Sequence, residues 1–237
     1  MENWQEEHLQ VLLTIKCEKT LFKELTKIAR NLGFDYCAYG LRTPLPVSRP
    51  KILMLNNYPT EWQLLYHEKN YLSIDPTVHH GMCSLLPIIW SDDVFTGARK
   101  LWEEARSFGL HTGWAQSCRD IHGVNGMLTL ARSGEPISKK EYCSKISELM
   151  WLTQFAHLGI TQCLTAKLLP ETETRLTDRE ISVLRWSADG KTSGEISAIL
   201  AISERTVNFH INNAMNKLGA VNKLAATVKA ATLGLLY

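Results

Sequence analysis

The sequence lacks any hydrophobic run of about 18 residues, so it gives no sign of a helix that crosses a membrane. Its start also lacks a basic segment followed by an apolar stretch, and Glu2, Glu6 and Glu7 stand there instead. This argues against a secretory signal. The net charge of +2 is too small to indicate binding to nucleic acid or membrane by itself. These absences favour an ordinary globular protein, which we expect in the cytoplasm.

Paired cysteines are missing as well. The six cysteines lie far apart, and none stands in a CxxC spacing, which argues against a zinc site or a disulfide scaffold. The neighbours His79 and His80 are poorly placed to hold one metal ion together. Cys83 and Cys118 have no identifiable base partner, so nucleophilic catalysis is not favoured. We therefore predict no metal, no cofactor and no catalytic residue.

The 237 residues are enough for two domains. Proline, charge and threonine over residues 169–175 interrupt the apolar periodicity and predict a linker. Residues 1–168 mix helices and strands without a regular βαβ rhythm, which predicts an α/β/α sandwich, an antiparallel sheet with helices on both faces. Residues 176–237 predict an all-α four-helix domain. In the first domain, helices are expected at 9–32, 62–68, 98–108 and 139–164, and strands at 34–41, 51–56, 113–119 and 126–132.

The helical domain carries explicit start and stop signals. Thr177 with Glu180, and Thr192 with Glu195, have the spacing of a capping box. Only the two residues 201 and 202 join the second and third helices, a connection typical of a helix-turn-helix. The four helices are expected to begin after caps at Thr177, Thr192, Ser203 and Asn222, and to end near Ala188, Leu200, Leu218 and Gly234.

The third of these helices has a polar outer face. Arg205, Asn208, Asn212 and Asn216 lie opposite its apolar positions, and asparagine can pair with the major-groove edge of adenine. From position 205 to the last residue there is no Asp or Glu, but there are four basic residues, which suits a polyanionic partner. A small helical dimerisation module with a mildly basic face is the alternative.

The same region resembles the LuxR/GerE type of helix-turn-helix. The resemblance implies double-stranded DNA as a partner, with Asn208 and Asn212 toward the base edges. It places Lys191, Thr192, Arg205, His210 and Lys217 at the DNA backbone, although His210 could equally be a surface residue without a role. The matching residues are Leu176–Glu180, Leu184, Trp186, Gly190–Thr192, Glu195, Ile196, Ser203, Thr206, Val207, Lys217 and Leu218.

Aromatic residues gather around one carboxylate in the first domain. Trp62 and Tyr66 share a helix face, and Asp75 lies close to them in the chain, among Tyr58 and Trp90. A carboxylate among aromatics must find hydrogen-bond donors. The set therefore predicts either a small-molecule pocket or a core in which the polar groups pair with one another.

A second resemblance favours the pocket. Tyr58, Trp62, Tyr66, Asp75, Pro76, Trp90, Trp102 and Gly113 stand in the order and approximate spacing of acyl-homoserine-lactone receptors of the LuxR family, and the length and layout are most similar to the QscR type. Such a ligand would donate its amide N–H to Asp75 and accept from Trp62, Tyr58 and Thr129. Tyr66, Trp90 and Trp102 would wall the ring, and Ala38, Met54 and Met127 are candidates for the tail region.

These resemblances imply a quorum-sensing transcription regulator that binds an acyl-homoserine lactone and, as a homodimer, palindromic DNA. A regulator that senses another small molecule or a protein partner is the alternative, and an enzyme that acts on the lactone is a third. The long helix near the end of the first domain belongs either to the core or, in part, to a dimer interface.

Overall fold

The computed structural model describes residues 2–237, and the side chains of all of these except residues 2–7, 165, 166 and 171. Contacts among Cα atoms divide the chain into two units. The first unit contains the chain up to Arg42, Ile52–Asp120 and Asn125–Leu164, and the second contains Thr43–Lys51, Ile121–Val124 and Thr165–Tyr237.

The first unit is built around an antiparallel sheet of five strands, which lie side by side in the order second, first, fifth, fourth and third along the chain. The fourth strand is buried at every position from Thr112 to Cys118. A strand is buried on both faces when other elements cover both sides of its sheet. The strands are β1 (Tyr36–Arg42), β2 (Ile52–Asn56), β3 (Ile88–Ile89), β4 (Thr112–Arg119) and β5 (Asn125–Arg132).

Helices cover both faces of this sheet. Successive strand residues point to opposite faces. The Cys118 thiol approaches the Thr153 carbonyl in the helix Lys139–Leu168, whereas Ser117 lies beside Gly81 in the helix Pro76–Cys83. The predicted α/β/α sandwich is thereby confirmed. The helices of this unit are α1 (Glu2–Thr14), α2 (Glu18–Asn31), α3 (Thr60–Glu68), α4 (Pro76–Cys83), α5 (Arg99–Ser107) and α6 (Lys139–Leu168), the last of which continues beyond the unit boundary.

The structure departs from the sequence prediction at one break between helices and in two short elements. The segment 9–32, predicted as one helix, contains the end of α1 and all of α2, and Cys17 begins α2 without a side-chain cap that could have marked the break. The helix α4 and the strand β3 were not predicted. β3 has only two residues, and it is defined by its pairing with β4, which apolar periodicity cannot detect.

The helical part of the second unit follows the predicted boundaries closely. Both capping boxes form: Thr177 and Thr192 each accept from the backbone N–H three residues later, and Glu180 and Glu195 accept in return. Ser203 and Asn222 cap the next two helices. The helices are α7 (Asp178–Ala188), α8 (Ser193–Leu200), α9 (Glu204–Lys217) and α10 (Lys223–Thr232). A 3-10 turn at Pro170–Glu173 occupies the predicted linker.

Candidate ligand cavity and nucleic-acid surface

A cavity of about 950 Å³ lies in the first unit, between the sheet and the segment that carries α3, α4 and α5. Its volume is in the range of sites that enclose a small molecule. Six of the seven residues predicted to bind a ligand line it: Tyr58, Trp62, Tyr66, Asp75, Trp90 and Thr129.

Asp75 is fixed at the start of α4. Its Oδ1 accepts from the backbone N–H of Thr77 at 2.8 Å and from the Thr77 hydroxyl at 2.7 Å, so it is the N-cap of the helix, and Pro76 occupies the first turn. Its Oδ2 accepts from the Tyr66 hydroxyl at 2.9 Å. Because a carboxylate oxygen can accept more than one hydrogen bond, Asp75 can still accept from a donor in the cavity.

Four further donors line the cavity with their hydrogen-bonding capacity unused. The indole N–H groups of Trp62 and Trp90 and the hydroxyls of Tyr58 and Thr129 form no hydrogen bond with any residue that the structure describes. Burial, with Asp75 nearby, raises the pKa of Tyr58 and of Tyr66. Both phenols are therefore protonated donors at neutral pH.

Trp90 reaches the cavity because of a glycine on the neighbouring strand. A Cβ atom added to Gly113 would lie 2.5 Å from Cδ2 of the Trp90 ring. No side chain can occupy that space without moving the indole. Gly113, part of the family resemblance, is thus explained by close packing.

Trp102, the seventh predicted residue, does not line the cavity. Its ring stacks on Phe95 with centroids 4.5 Å apart and planes 5° from parallel, and Phe95 lines the cavity in its place. The Trp102 indole N–H donates to Asp92 at 2.7 Å. Trp102 therefore supports the wall from behind. In this respect the aromatic residues form both a pocket and a core, since Trp62, Phe95 and Trp102 belong to one buried cluster.

The sheet and α4 also contribute residues to the cavity wall. The structure places the three candidates for the tail region, Ala38, Met54 and Met127, on the cavity wall. Sequence reasoning missed Gly40 and Arg42, which follow Ala38 at intervals of two along β1 and therefore face the same side. It also missed the α4 residues, since that helix was not predicted.

The buried thiol of Cys118 is poorly suited to attack a bound molecule. Burial raises its pKa to about 12, so the nucleophilic thiolate is scarce at neutral pH. Among the residues described, no group of three or more His, Cys, Asp and Glu side chains could hold a metal ion. His79 and His80 instead contact the carbonyls of Ser73 and Leu86.

Among residues 2–237, which the structure describes, no helix is long and apolar enough to cross a membrane.

In the second unit, α8 and α9 are joined by a tight turn in which Ala201 has a left-handed backbone with φ of 52°. Val183, Ile196, Val207 and Ile211 pack into one buried cluster, which holds α7, α8 and α9 together. The outer face of α9 is consequently exposed to solvent.

Three of the predicted DNA-contacting residues lie on this exposed face of α9: Arg205, Asn208 and Asn212. Helical spacing puts them within less than a quarter of the circumference. The Asn208 side-chain oxygen accepts from the Ser193 hydroxyl at 2.8 Å, which ties the start of α8 to the middle of α9. Thr192, the adjacent N-cap of α8, is also exposed, and Lys191 is half-buried.

Lys217 and His210 lie on the other flank of α9. The Lys217 ammonium forms an ion pair with Glu180 at 2.7 Å and donates to the Arg175 carbonyl at 3.2 Å. Glu180 is buried, with only 2% of its surface exposed. Lys217 therefore has an internal partner. His210 is half-buried beside the exposed ring of Phe209.

Comparison with known families matches both units. Residues 18–160 match the model of an autoinducer binding domain, and residues 174–230 match that of bacterial regulatory proteins of the luxR family. The transcriptional activator protein AnoR of Acinetobacter nosocomialis is 49% identical over the full length of both chains.

Solved structures share the fold. Escherichia coli SdiA in complex with octanoyl-rac-glycerol gives a TM-score of 0.83 at 34% identity, over 99% of this chain and 96% of that one. The N-acylhomoserine-lactone-dependent LuxR-family factor CepR2 of Burkholderia cenocepacia gives 0.60 at 31% identity, over 65% of this chain and 90% of that one.

Proposed function

This chain belongs to the LuxR family of autoinducer-binding transcription regulators, and we propose that its signal is an acyl-homoserine lactone bound in the cavity of the first unit. We further propose that it acts in the cytoplasm as a homodimer on palindromic DNA. Its relatives are transcription regulators rather than enzymes.

The observation that carries the lactone assignment is that Asp75 lines the same cavity as several unused hydrogen-bond donors. A lactone ligand has one amide N–H, and Asp75 is the acceptor for it. The Trp62 indole N–H serves the ring carbonyl, and the hydroxyls of Tyr58 and Thr129 serve the amide carbonyl or a substituent on the tail. A charge-assisted hydrogen bond in a site walled by aromatics is expected to be among the strongest single contacts.

A monoacylglycerol is the second candidate, because the related SdiA is known in complex with octanoyl-rac-glycerol. This ligand also combines a polar head with an acyl chain. Its head offers hydroxyl donors to Asp75 and carries no amide N–H. A hydroxyl can accept a hydrogen bond as well as donate one, whereas an amide N–H can only donate. Binding of a lactone therefore depends more strictly on the Asp75 carboxylate than binding of a monoacylglycerol does.

The test is lactone binding by the wild type and by Asp75→Asn. Asparagine keeps the N-cap acceptor for α4, but its amide turns a donor toward Tyr66 and the ligand N–H. We expect lactone affinity to fall by about 1–3 kcal/mol, or roughly 5- to 150-fold. Calorimetric titration of the purified full chain measures this, and Asp93→Asn, an exposed residue outside the cavity wall, is the matched control.

Two results would contradict the lactone assignment. Equal lactone affinity in wild type and Asp75→Asn would show that the amide does not meet this carboxylate. Stabilisation of the wild type by octanoylglycerol, but by no lactone of any chain length, would favour the monoacylglycerol instead.

The DNA proposal rests on the polar face of α9 and on the acid-free stretch from Arg205 onward. A homodimer would present two copies of α9 to half-sites about 10–10.5 base pairs apart. Arg205, Asn208 and Asn212 would reach the base edges or adjoining phosphates. Lys191 and Thr192, at the start of α8, would face the DNA backbone.

A further inference from the structure

The floor of the cavity is a regular ladder of side chains from three neighbouring strands. Pairing of β2 and β5 with β1 aligns their residues in rungs across the sheet. Every second residue of a strand points to the same face of the sheet. The three rungs that line it are Asn56–Ala38–Thr129, Met54–Gly40–Met127 and Ile52–Arg42–Asn125.

The middle rung has no side chain at its centre. A Cβ atom built on Gly40 would have no neighbouring atom within 4 Å, and Gly40 does not have a left-handed backbone. The backbone thus permits other residues here, and a glycine within a strand weakens it. A strand glycine often marks a place where a ligand approaches the backbone closely. Met54 and Met127 flank the gap with flexible thioether side chains.

The ladder also changes in polarity along its length. The first rung carries Asn56 and Thr129, and the second carries two methionines around Gly40. The third rung is polar again, with Arg42 and Asn125 beside Ile52, and it lies at a partly open end, where Ile52 is 51% exposed. From the first rung to the third is four residues along β1, about 13 Å at the rise of a strand, which matches an extended hydrocarbon of about ten carbons.

We infer that the cavity selects a lactone with a long acyl chain, of about ten carbons or more, whose tail lies over Gly40 between Met54 and Met127 and ends near Ile52 and the aliphatic stem of Arg42. Gly40 is then a determinant of chain length. This inference rests on the proposed function, because it takes the head of the ligand to be held at Asp75 and Trp62. It adds the class of acyl chain and the residue that makes room for it.

The experiment measures the affinity of the full chain for unsubstituted lactones with four, eight and twelve acyl carbons. Each buried methylene contributes up to about a fourfold gain. For the wild type we expect the twelve-carbon lactone to bind at least about 100-fold more tightly than the four-carbon one. Gly40→Leu places a side chain in the tail path, and we expect it to lower this ratio at least about tenfold while four-carbon affinity changes less than about threefold.

Gly40→Ala and Gly134→Leu complete the design. Gly134 is exposed, has open space around it and lies outside this cavity, so the same substitution there should leave the ratio unchanged. Gly40→Ala should lower the ratio by a smaller amount than Gly40→Leu. If Gly40→Leu yields no folded protein, the wild-type profile and Gly40→Ala decide the matter.

The outcomes separate the two proposals. A wild type that binds lactones but shows no preference for long chains overturns this inference and leaves the lactone assignment standing. An unchanged ratio in both Gly40 variants overturns it as well. A wild type that binds no lactone of any length overturns the proposed function, and the chain-length inference falls with it.

Discussion

At the scale of single residues, the carboxylate of Glu141 shows how a partly exposed charge is paired in the first unit. Arg132 holds it through two parallel hydrogen bonds of 2.7 and 2.8 Å, and Lys145 approaches it at 2.8 Å. Lys145 also donates to the Leu32 carbonyl at 2.7 Å. The two cations link α6 to β5 and to the end of α2.

This ion-pair cluster predicts a pH dependence of stability. Hydrogen bonds from Arg132 and then Lys145 lower the pKa of Glu141 to about 2. A carboxyl whose folded pKa lies below its unfolded value contributes stability above the unfolded pKa, and the contribution is lost as pH falls. We expect Glu141→Gln to lower the free energy of unfolding by about 1–3 kcal/mol at pH 7, after allowance for partial exposure. The difference should shrink as pH falls below 4.5 toward 2.

Urea unfolding of wild type and Glu141→Gln from pH 7 downward measures this difference. Glu103→Gln, which removes an exposed carboxylate on α5, is the control and should show little difference at any pH. A wild-type advantage that stays constant through the acid range would contradict the assignment to Glu141.

Residue types were easier to predict than residue partners. Asp75 could be singled out because a carboxylate among aromatics needs donors, and it does contact Tyr66. Trp102 was expected on the pocket wall, but Phe95 lies between it and the cavity. Phe95 comes from the segment before α5, and no local pattern shows which ring of a stacked pair faces a ligand.

At the scale of elements, the helical unit was predictable because its signals are local. A capping box needs only residues three positions apart, and both boxes form as expected. α4 carried a comparable signal, Asp75 at the N-cap followed by Pro76, but it has only eight residues and weak apolar periodicity. The pairing order of the sheet depends on contacts between distant segments, which spacing along the chain does not reveal.

The two flanks of α9 predict different effects of substitution. Asn212 is exposed and shares the outer face with Arg205, so Asn212→Ala should leave stability unchanged and reduce discrimination between operator bases by about 1–3 kcal/mol.

Lys217 neutralises the buried Glu180, so Lys217→Ala should lower the free energy of unfolding by about 1–3 kcal/mol. Urea unfolding and DNA titrations against singly substituted operators measure the two effects.

A double-variant cycle checks the role of Lys217. Replacing both partners, Lys217→Met with Glu180→Met, should cost less than the sum of the two single replacements, because neither charge is left unpaired. If Lys217→Ala kept its stability and weakened binding to every DNA sequence alike, Lys217 would be a phosphate contact instead. An unchanged operator preference in Asn212→Ala would contradict the assignment of the outer face.

At the scale of the whole molecule, the function is divided between two local environments rather than expressed in bulk properties. The net charge of +2 hardly favours DNA, whereas the stretch after Glu204 has no acidic residue. The overall hydrophobic content is likewise ordinary, whereas one sheet face and three helices enclose a cavity large enough for a lipid-like signal. Averages over the chain therefore conceal both sites.

We expect ligand binding in the cavity to be coupled to folding of the chain. Its walls belong partly to the buried aromatic cluster that includes Trp62 and Phe95, so a bound acyl chain adds apolar contacts to the core itself. A ligand that binds only the folded state stabilises it by an amount set by its concentration relative to its dissociation constant, about 2.7 kcal/mol at a 100-fold excess. We expect a cognate lactone at that excess to raise the urea midpoint of the full chain accordingly. Asp75→Asn at the same lactone concentration should be stabilised less, by about 0.3–1.8 kcal/mol for a 150- to 5-fold loss of affinity. Equal midpoints for the wild type with and without saturating lactone would rule out coupling through folding, and the signal would then have to act by favouring one arrangement of folded domains over another.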